Sequence, residues 1–216
     1  HHRTSTLIKS DYRMIENPDG SATVWIGETE KTRDLRGVVG MTLHPGKSYI
    51  EVDYRINNTN TTITQFLFWA NVAVTANIDF RTFWPPSQEI GVFHNNAYFT
   101  QWPIAEEIYK YGRTSYNKGT DLTWWRNHPN PVSFFMWDIQ EGFIGGYDYG
   151  QRAGTLHVGD VHKNNASKLW QFGPGLRGQN ARRKLTDDGK AYVELMTGTF
   201  SNNQPDYSWI FPHAVK

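Results

Sequence analysis

The stretch from Tyr49 to Trp84 constrains this chain more than any other. In Ile50-Glu51-Val52-Asp53-Tyr54-Arg55-Ile56 the apolar residues fall on every second position. That is the period of a β-strand with one buried face and one wet face. Asn57 to Thr62 supplies turn chemistry, because asparagine tolerates a positive φ and its amide bonds nearby backbone. The chain returns through Gln65-Phe66-Leu67-Phe68-Trp69-Ala70-Asn71-Val72-Ala73-Val74, apolar on both faces except at Asn71. The pattern predicts one long strand inside a two-layer β structure.

The remainder extends that reading. Thr6 to Arg13 and Ala22 to Glu28 form a predicted hairpin about the turn Asn17-Pro18-Asp19-Gly20. Thr29 to Arg36 reads as a charged loop or strand edge, and Gly37 to Leu43 as a strand. Trp84-Pro85-Pro86 ends the central pair, since proline cannot donate to a ladder. Strands are expected within Gln88–Thr100, Val132–Trp137, Phe143–Tyr147, Gly154–Val161, Ala191–Phe200 and Tyr207–Phe211. Ile104 to Tyr109 fits a single helical turn, while Ser115–Pro131 and Phe172–Gly189 read as irregular. Short strands with almost no helix predict an all-β fold, one β-sandwich domain over residues 1–216.

Composition narrows the function classes. The net charge is +1, and the one basic cluster, Arg182-Arg183-Lys184, reads as a solvated loop, so nucleic acid is not an expected partner. No apolar run is long enough to span a membrane as a helix, so no membrane partner is expected. There is no cysteine, hence no disulfide framework, and no apolar leader precedes the strands, as in a mature periplasmic or secreted domain. Aromatic residues reach 15%, with 9 Trp and 11 Tyr interleaved with Asn, Arg and Asp. Rings with a polar handle suit the apolar C–H faces and hydroxyl rim of a sugar.

Several residues are candidates for chemistry. Leu156 to His162 carries His157, Asp160 and His162, but on a strand Asp160 and His162 share a face that His157 does not, which argues against a metal site. Glu194 stands between Tyr192 and Met196, where apolar neighbours raise a carboxyl toward the range useful for proton transfer. Asp148 sits in Gly145-Gly146-Tyr147-Asp148-Tyr149-Gly150, where capping a turn competes with a catalytic role. Trp124-Trp125-Arg126 leads the ligand-contact candidates, followed by Tyr147, Trp102 and Trp84. Motifs for serine hydrolases, nucleotide binding and zinc proteases are missing, and no cofactor is expected.

The runs Leu43 to Val52, Asn57-Asn58-Thr59, Phe68 to Val74, Phe83-Trp84-Pro85-Pro86, Gly145 to Asp148, Leu156-His157-Val158, Tyr192 to Gly198 and Asn203 to Asp206 resemble the DUF5107 family. On this resemblance His1-His2-Arg3-Thr4 is native sequence and not the end of a purification tag. The family is similar to galactose mutarotase-like proteins, which implies a β-supersandwich, or part of one, and a carbohydrate ligand. It also implies a longer protein, with neighbouring domains that include helical repeats. Mutarotases place a catalytic His in an Asn-His-x-Tyr-Phe-Asn motif. The matching position here holds Val72 in one register and Asn96 in the other, so neither supplies the general acid. Glu194 corresponds to that fold's late-strand catalytic Glu.

Two readings follow. In one the domain is carbohydrate-active and related to glycoside hydrolases or sugar epimerases. Glu194 then accepts a proton, His157, His162 or Asp148 partners it, and Trp124, Trp125, Arg126 and Tyr147 hold the sugar. In the other it is a non-catalytic module that binds glycan or braces a neighbouring domain.

Overall fold

The computed structural model describes residues 9–94, 98–111, 114–200 and 208–216. His1 to Thr4, Asn95 to Ala97, and Asn203 to Tyr207, all of which the sequence reading drew on, lie outside the described residues. The chain forms two compact units.

The first unit comprises residues up to Phe66 together with Ser208–Lys216. Its main sheet is an antiparallel meander of β1 (Asp11–Glu16), β2 (Ala22–Glu30), β3 (Leu35–Leu43) and β4 (Ile50–Asn58). The Asn17–Gly20 turn is as expected: Gly20 has φ +81°, and the Gly20 N–H donates to the Asn17 carbonyl at 2.9 Å. The segment Thr29–Arg36 holds the paired ends of β2 and β3, which meet at Glu30 and Leu35, and the four-residue turn 31–34 between them. A short β5 (Thr64–Phe66) pairs with the last strand, Ser208–Ile210. The buried Asn58 amide ties this end together by donating to the carbonyls of Thr62, Ile210 and Phe211.

The second unit spans Leu67–Tyr207. It begins with β6 (Trp69–Thr75), β7 (Phe80–Phe83), β8 (Ile90–Phe93), β9 (Phe99–Gln101), β10 (Tyr109–Tyr111) and β11 (Thr114–Tyr116). A 3-10 helix (Trp125–Asn127) follows, then β12 (Val132–Met136), β13 (Phe143–Asp148), β14 (Ala153–Val158), β15 (Ala166–Gln171), α1 (Leu176–Leu185) and β16 (Tyr192–Gly198). Six strands form one sheet in the order β6-β16-β15-β12-β8-β9, and a second sheet runs β14-β13-β7. The core lies between them. Phe134, Leu169, Val193 and Leu195 from the larger sheet meet Phe80 and Ile144 from the smaller, with Trp102, Tyr116, Leu122 and Trp125 sealing the layer. Gly145 and Gly146 are required by close packing, since an added Cβ would stand 2.0 Å from the Phe83 ring and 2.2 Å from the Phe80 ring.

Three expectations are corrected. The predicted strand Gln65–Val74 is two strands, because Phe68 bonds through its backbone to Thr199 and interrupts the ladder. Phe172–Gly189 contains α1, whose Arg182, Arg183 and Lys184 fill the last turn, where cations favour the helix dipole. Ile104–Tyr109 is no helical turn: Ile104 bridges to Asp121, and Tyr109 opens β10.

Candidate active site on the six-stranded sheet

Alternation along the strands gives the six-stranded sheet two unlike faces. Residues directly opposite in an antiparallel pair point the same way. Trp170 faces Glu194, Lys168 faces Met196, Phe135 faces Lys168, and Asn71 faces Met196. These residues stand on the face away from the core, together with Trp69 and Ser133.

Glu194 leaves β16 on this face and accepts a hydrogen bond from the Asn71 amide at 2.9 Å. Burial raises its carboxyl above the ordinary range. The Asn71 bond, the charge of Lys168 and a bond from Tyr192 oppose that rise. Lys168 is only 6% exposed. Its Nζ lies 4.6 Å from the ring centre of Phe135, 4.8 Å from Trp170 and 5.6 Å from Trp69. Desolvation pushes the ammonium down to about 8, against the pull of Glu194. His94, just past β8, is pushed down to about 4 by burial and by the charge of Lys168, so its ring is neutral at neutral pH. It shares a hydrogen bond with Ser133 Oγ at 2.7 Å and stands edge-on to Trp170 at 5.3 Å. The indole N–H groups of Trp69 and Trp170 are buried without an acceptor.

This face therefore gathers three titratable groups with displaced proton affinities, two indole donors and an amide. Such a gathering makes this face the candidate functional surface of the sheet. Gly198 shapes it: a Cβ there would stand 2.5 Å from both the Trp69 ring and the Phe68 carbonyl.

Of the residues expected from sequence, Glu194 alone is on this face. His157, on β14, spends both ring nitrogens on the other side of β16. Nδ1 donates to the Leu195 carbonyl and Nε2 accepts from the Thr197 hydroxyl, each at 3.1 Å. His162 is exposed in the turn after β14, and its backbone N–H donates to Asp160. Asp148, buried at the end of β13, accepts from the Asn77 amide at 2.5 Å and the Gln151 N–H at 2.9 Å, which is turn capping. Among the described residues no three His, Asp or Glu side chains are grouped to hold a metal ion.

The aromatic candidates divide. Trp102 and Trp125 are buried in the core. Trp84 is half-buried, edge-on to Trp102 at 5.3 Å, and donates to Thr82 Oγ1. Trp84 and Tyr147, with Arg81, Thr123 and Tyr149, line a shallow groove of about 250 Å³. Trp124 packs beside it, 5.7 Å from Tyr149, with Arg126 4.0 Å over its ring and Arg81 at 5.4 Å. This groove is on the outer side of the three-stranded sheet, so the core separates it from Glu194. Lys168, His94, Trp69 and Trp170 were not singled out from sequence. The available signal was a lysine placed between Ala166 and Trp170 on one face of a strand.

The chain is mostly strand, and its fold is that of galactose mutarotase-like β-sandwich proteins. The chain belongs to the DUF5107 family, described as a domain of unknown function, whose profile matches residues 1–212. It is similar to a TPR-domain containing protein from Parabacteroides distasonis, with TM-score 0.75 and 18% identity over 96% of this chain. A protein from Klebsiella pneumoniae provisionally assigned as an aldose 1-epimerase superposes with TM-score 0.58 and 10% identity over 95% of this chain. A galactose mutarotase related enzyme from Lactobacillus acidophilus gives 0.53, at 9% identity over 95%. The chain spans 33%, 51% and 68% of these three proteins. Likeness at these identities is a likeness of fold. Among the described residues no helix is long and apolar enough to cross a membrane.

Proposed function

We propose that this chain is a carbohydrate-active domain that holds a sugar on the outer face of its six-stranded sheet, with Glu194 as proton acceptor. The observation that carries the reading is the convergence of Glu194, Lys168 and two buried, unmatched indole N–H groups on one face. Trp170 offers a half-buried ring for the C–H face of a pyranose, and its N–H, with that of Trp69, offers donors to ring substituents. A carboxyl raised by burial is suited to take a proton from a sugar hydroxyl. Lys168, still protonated at neutral pH but holding its proton less tightly than an exposed lysine, is suited to give one up. That pairing fits proton transfer at a single sugar ring. Helical repeats in the same polypeptide are a proposed neighbour, resting on the TPR-domain protein of which this chain spans 33%.

A second reading is binding without reaction. It is favoured by one observation: Glu194 is the one carboxylate placed on this face among the described strand residues. Glycosidic cleavage ordinarily uses two. The test is reducing-end release from polysaccharides and optical-rotation change of free aldoses, with wild type beside Glu194→Gln. Turnover that disappears in the variant supports the reactive reading. Retention of glycan by both proteins without turnover leaves the binding module. Neither turnover nor retention refutes the carbohydrate reading.

A further inference from the structure

The polar groups of the Glu194 face are unbalanced toward donors. Lys168 is nearly fully buried, and among the described residues its ammonium has neither an ion pair nor a hydrogen bond. Its surroundings are the rings of Phe135, Trp170 and Trp69. Ring faces attract a cation, but they carry no net charge and accept no conventional hydrogen bond. A cation removed from water is ordinarily matched by a counter-charge. Glu194, on the adjacent strand, feels the charge of Lys168 but takes its hydrogen bond from Asn71. Beside the ammonium, the N–H groups of Trp69 and Trp170 are buried with no acceptor. Three donors on this face thus have no matching acceptor among the described residues.

A neutral sugar would satisfy the indoles through its hydroxyl oxygens and leave the charge of Lys168 unmatched. A sugar bearing an acidic group brings both a negative charge and several acceptor oxygens. Ion pairing across a desolvated, ring-lined surface is the strong form of such a contact. We infer that the site is selective for an anionic sugar, whose acidic group pairs with Lys168 while Trp69 and Trp170 donate to its oxygens. The inference rests on the reading of this face as a carbohydrate site and names the substrate class. Carboxylate, sulfate ester and phosphate ester share the required chemistry.

The experiment is calorimetric titration of wild type, Lys168→Met and Lys168→Arg with matched ligands. These are a uronic-acid oligosaccharide, a sulfated oligosaccharide, a sugar phosphate and their neutral counterparts. The expected result is binding of one acidic class at least about tenfold tighter than its neutral counterpart, the scale of a desolvated charge pair. Lys168→Arg keeps that preference. Lys168→Met, shown folded by circular dichroism, no longer distinguishes the acidic ligand from its neutral counterpart. The arm that binds identifies the acidic group. Equal or tighter binding of neutral sugars by wild type overturns the inference and leaves the carbohydrate reading standing. So does a preference that survives in Lys168→Met. Binding of no ligand in any arm overturns both.

Discussion

Lys168 and Glu194 stand on neighbouring strands of one sheet face, one register step apart, and feel each other's charge without forming an ion pair. Each is held away from its ordinary proton affinity by burial, in opposite directions. The ammonium is pushed down and the carboxyl up, so the neutral form of each gains. An opposed acid–base pair on one wall is the feature from which the other functional arguments descend.

Lys168 lowers the stability of the fold at neutral pH. Its folded value of about 8 lies below the unfolded 10.5, so the native state binds this proton more weakly than the unfolded chain. The penalty is complete below about pH 8 and is released as pH rises toward 10.5. Lys168→Met should therefore be more stable than wild type near neutrality, by on the order of 3 kcal/mol at most. The difference should shrink above pH 8. Urea unfolding midpoints across that range check it, and a variant less stable than wild type at neutral pH would refute it.

Two histidines make the fold sensitive to acid by the same linkage. His128 is fully buried: Nε2 donates to the Leu122 carbonyl at 2.8 Å, and Nδ1 accepts from the Tyr116 hydroxyl at 2.9 Å. Burial pushes it to about 4, and His94 likewise. A folded value below the unfolded 6.5 gives stability that is complete above about 6.5 and lost as pH falls through about 4. Imidazole proton NMR should show both rings still neutral at pH 5, with unfolding setting in below. Titration of either near 6.5 would contradict the packing.

Asn71 tunes Glu194. Its amide donates to the carboxylate and so favours the charged form. In Asn71→Ala the Glu194 carboxyl should titrate at higher pH than in wild type, read by carbon NMR of the side chain. Any Glu194-dependent turnover should lose its acid limb at correspondingly higher pH. An unchanged or lowered titration would show that the bond does not hold in solution.

Gly198 positions Trp69. A methyl group there meets the indole and the Phe68 carbonyl at 2.5 Å, and a backbone carbonyl cannot swing aside as a side chain can. Gly198→Ala should cost roughly 1–3 kcal/mol, the usual range for overpacking. It should also shift the Trp69 indole resonance while leaving that of Trp125, in the core, unchanged. A variant of wild-type stability with an unmoved Trp69 would refute the assignment.

Much of the fold was legible because period-2 alternation and turn chemistry are local signals. The Asn17-Pro18-Asp19-Gly20 turn and a strand over Ile50–Ile56 are where the pattern put them, but the expected buried face of that strand is not there, since Ile50 and Val52 are exposed. The division of Gln65–Val74 was not legible, because an apolar run does not record where its partner strand changes. Helix α1 was hidden by three glycines around it and by weak amphipathicity, Leu176 and Leu185 both remaining exposed. Glu194 was legible from its neighbours within one strand. Lys168, Trp69, Trp170 and His94 were not, because their meaning depends on which strands lie side by side. The loop Trp124-Trp125-Arg126 misdirected attention for the same reason. Composition shows that rings are abundant, but not that Trp125 turns into the core while Trp124 packs under two arginines.

The central claim is that sugar is held on the Trp69–Trp170 face, and indole N–H resonances report it most directly. With the nine Trp signals assigned, neutral and acidic oligosaccharides are titrated into the protein. The account predicts that Trp69 and Trp170 shift in concert and saturably, while Trp102 and Trp125 stay fixed. Shifts confined to Trp84 and Trp124, or none with any sugar, would contradict it.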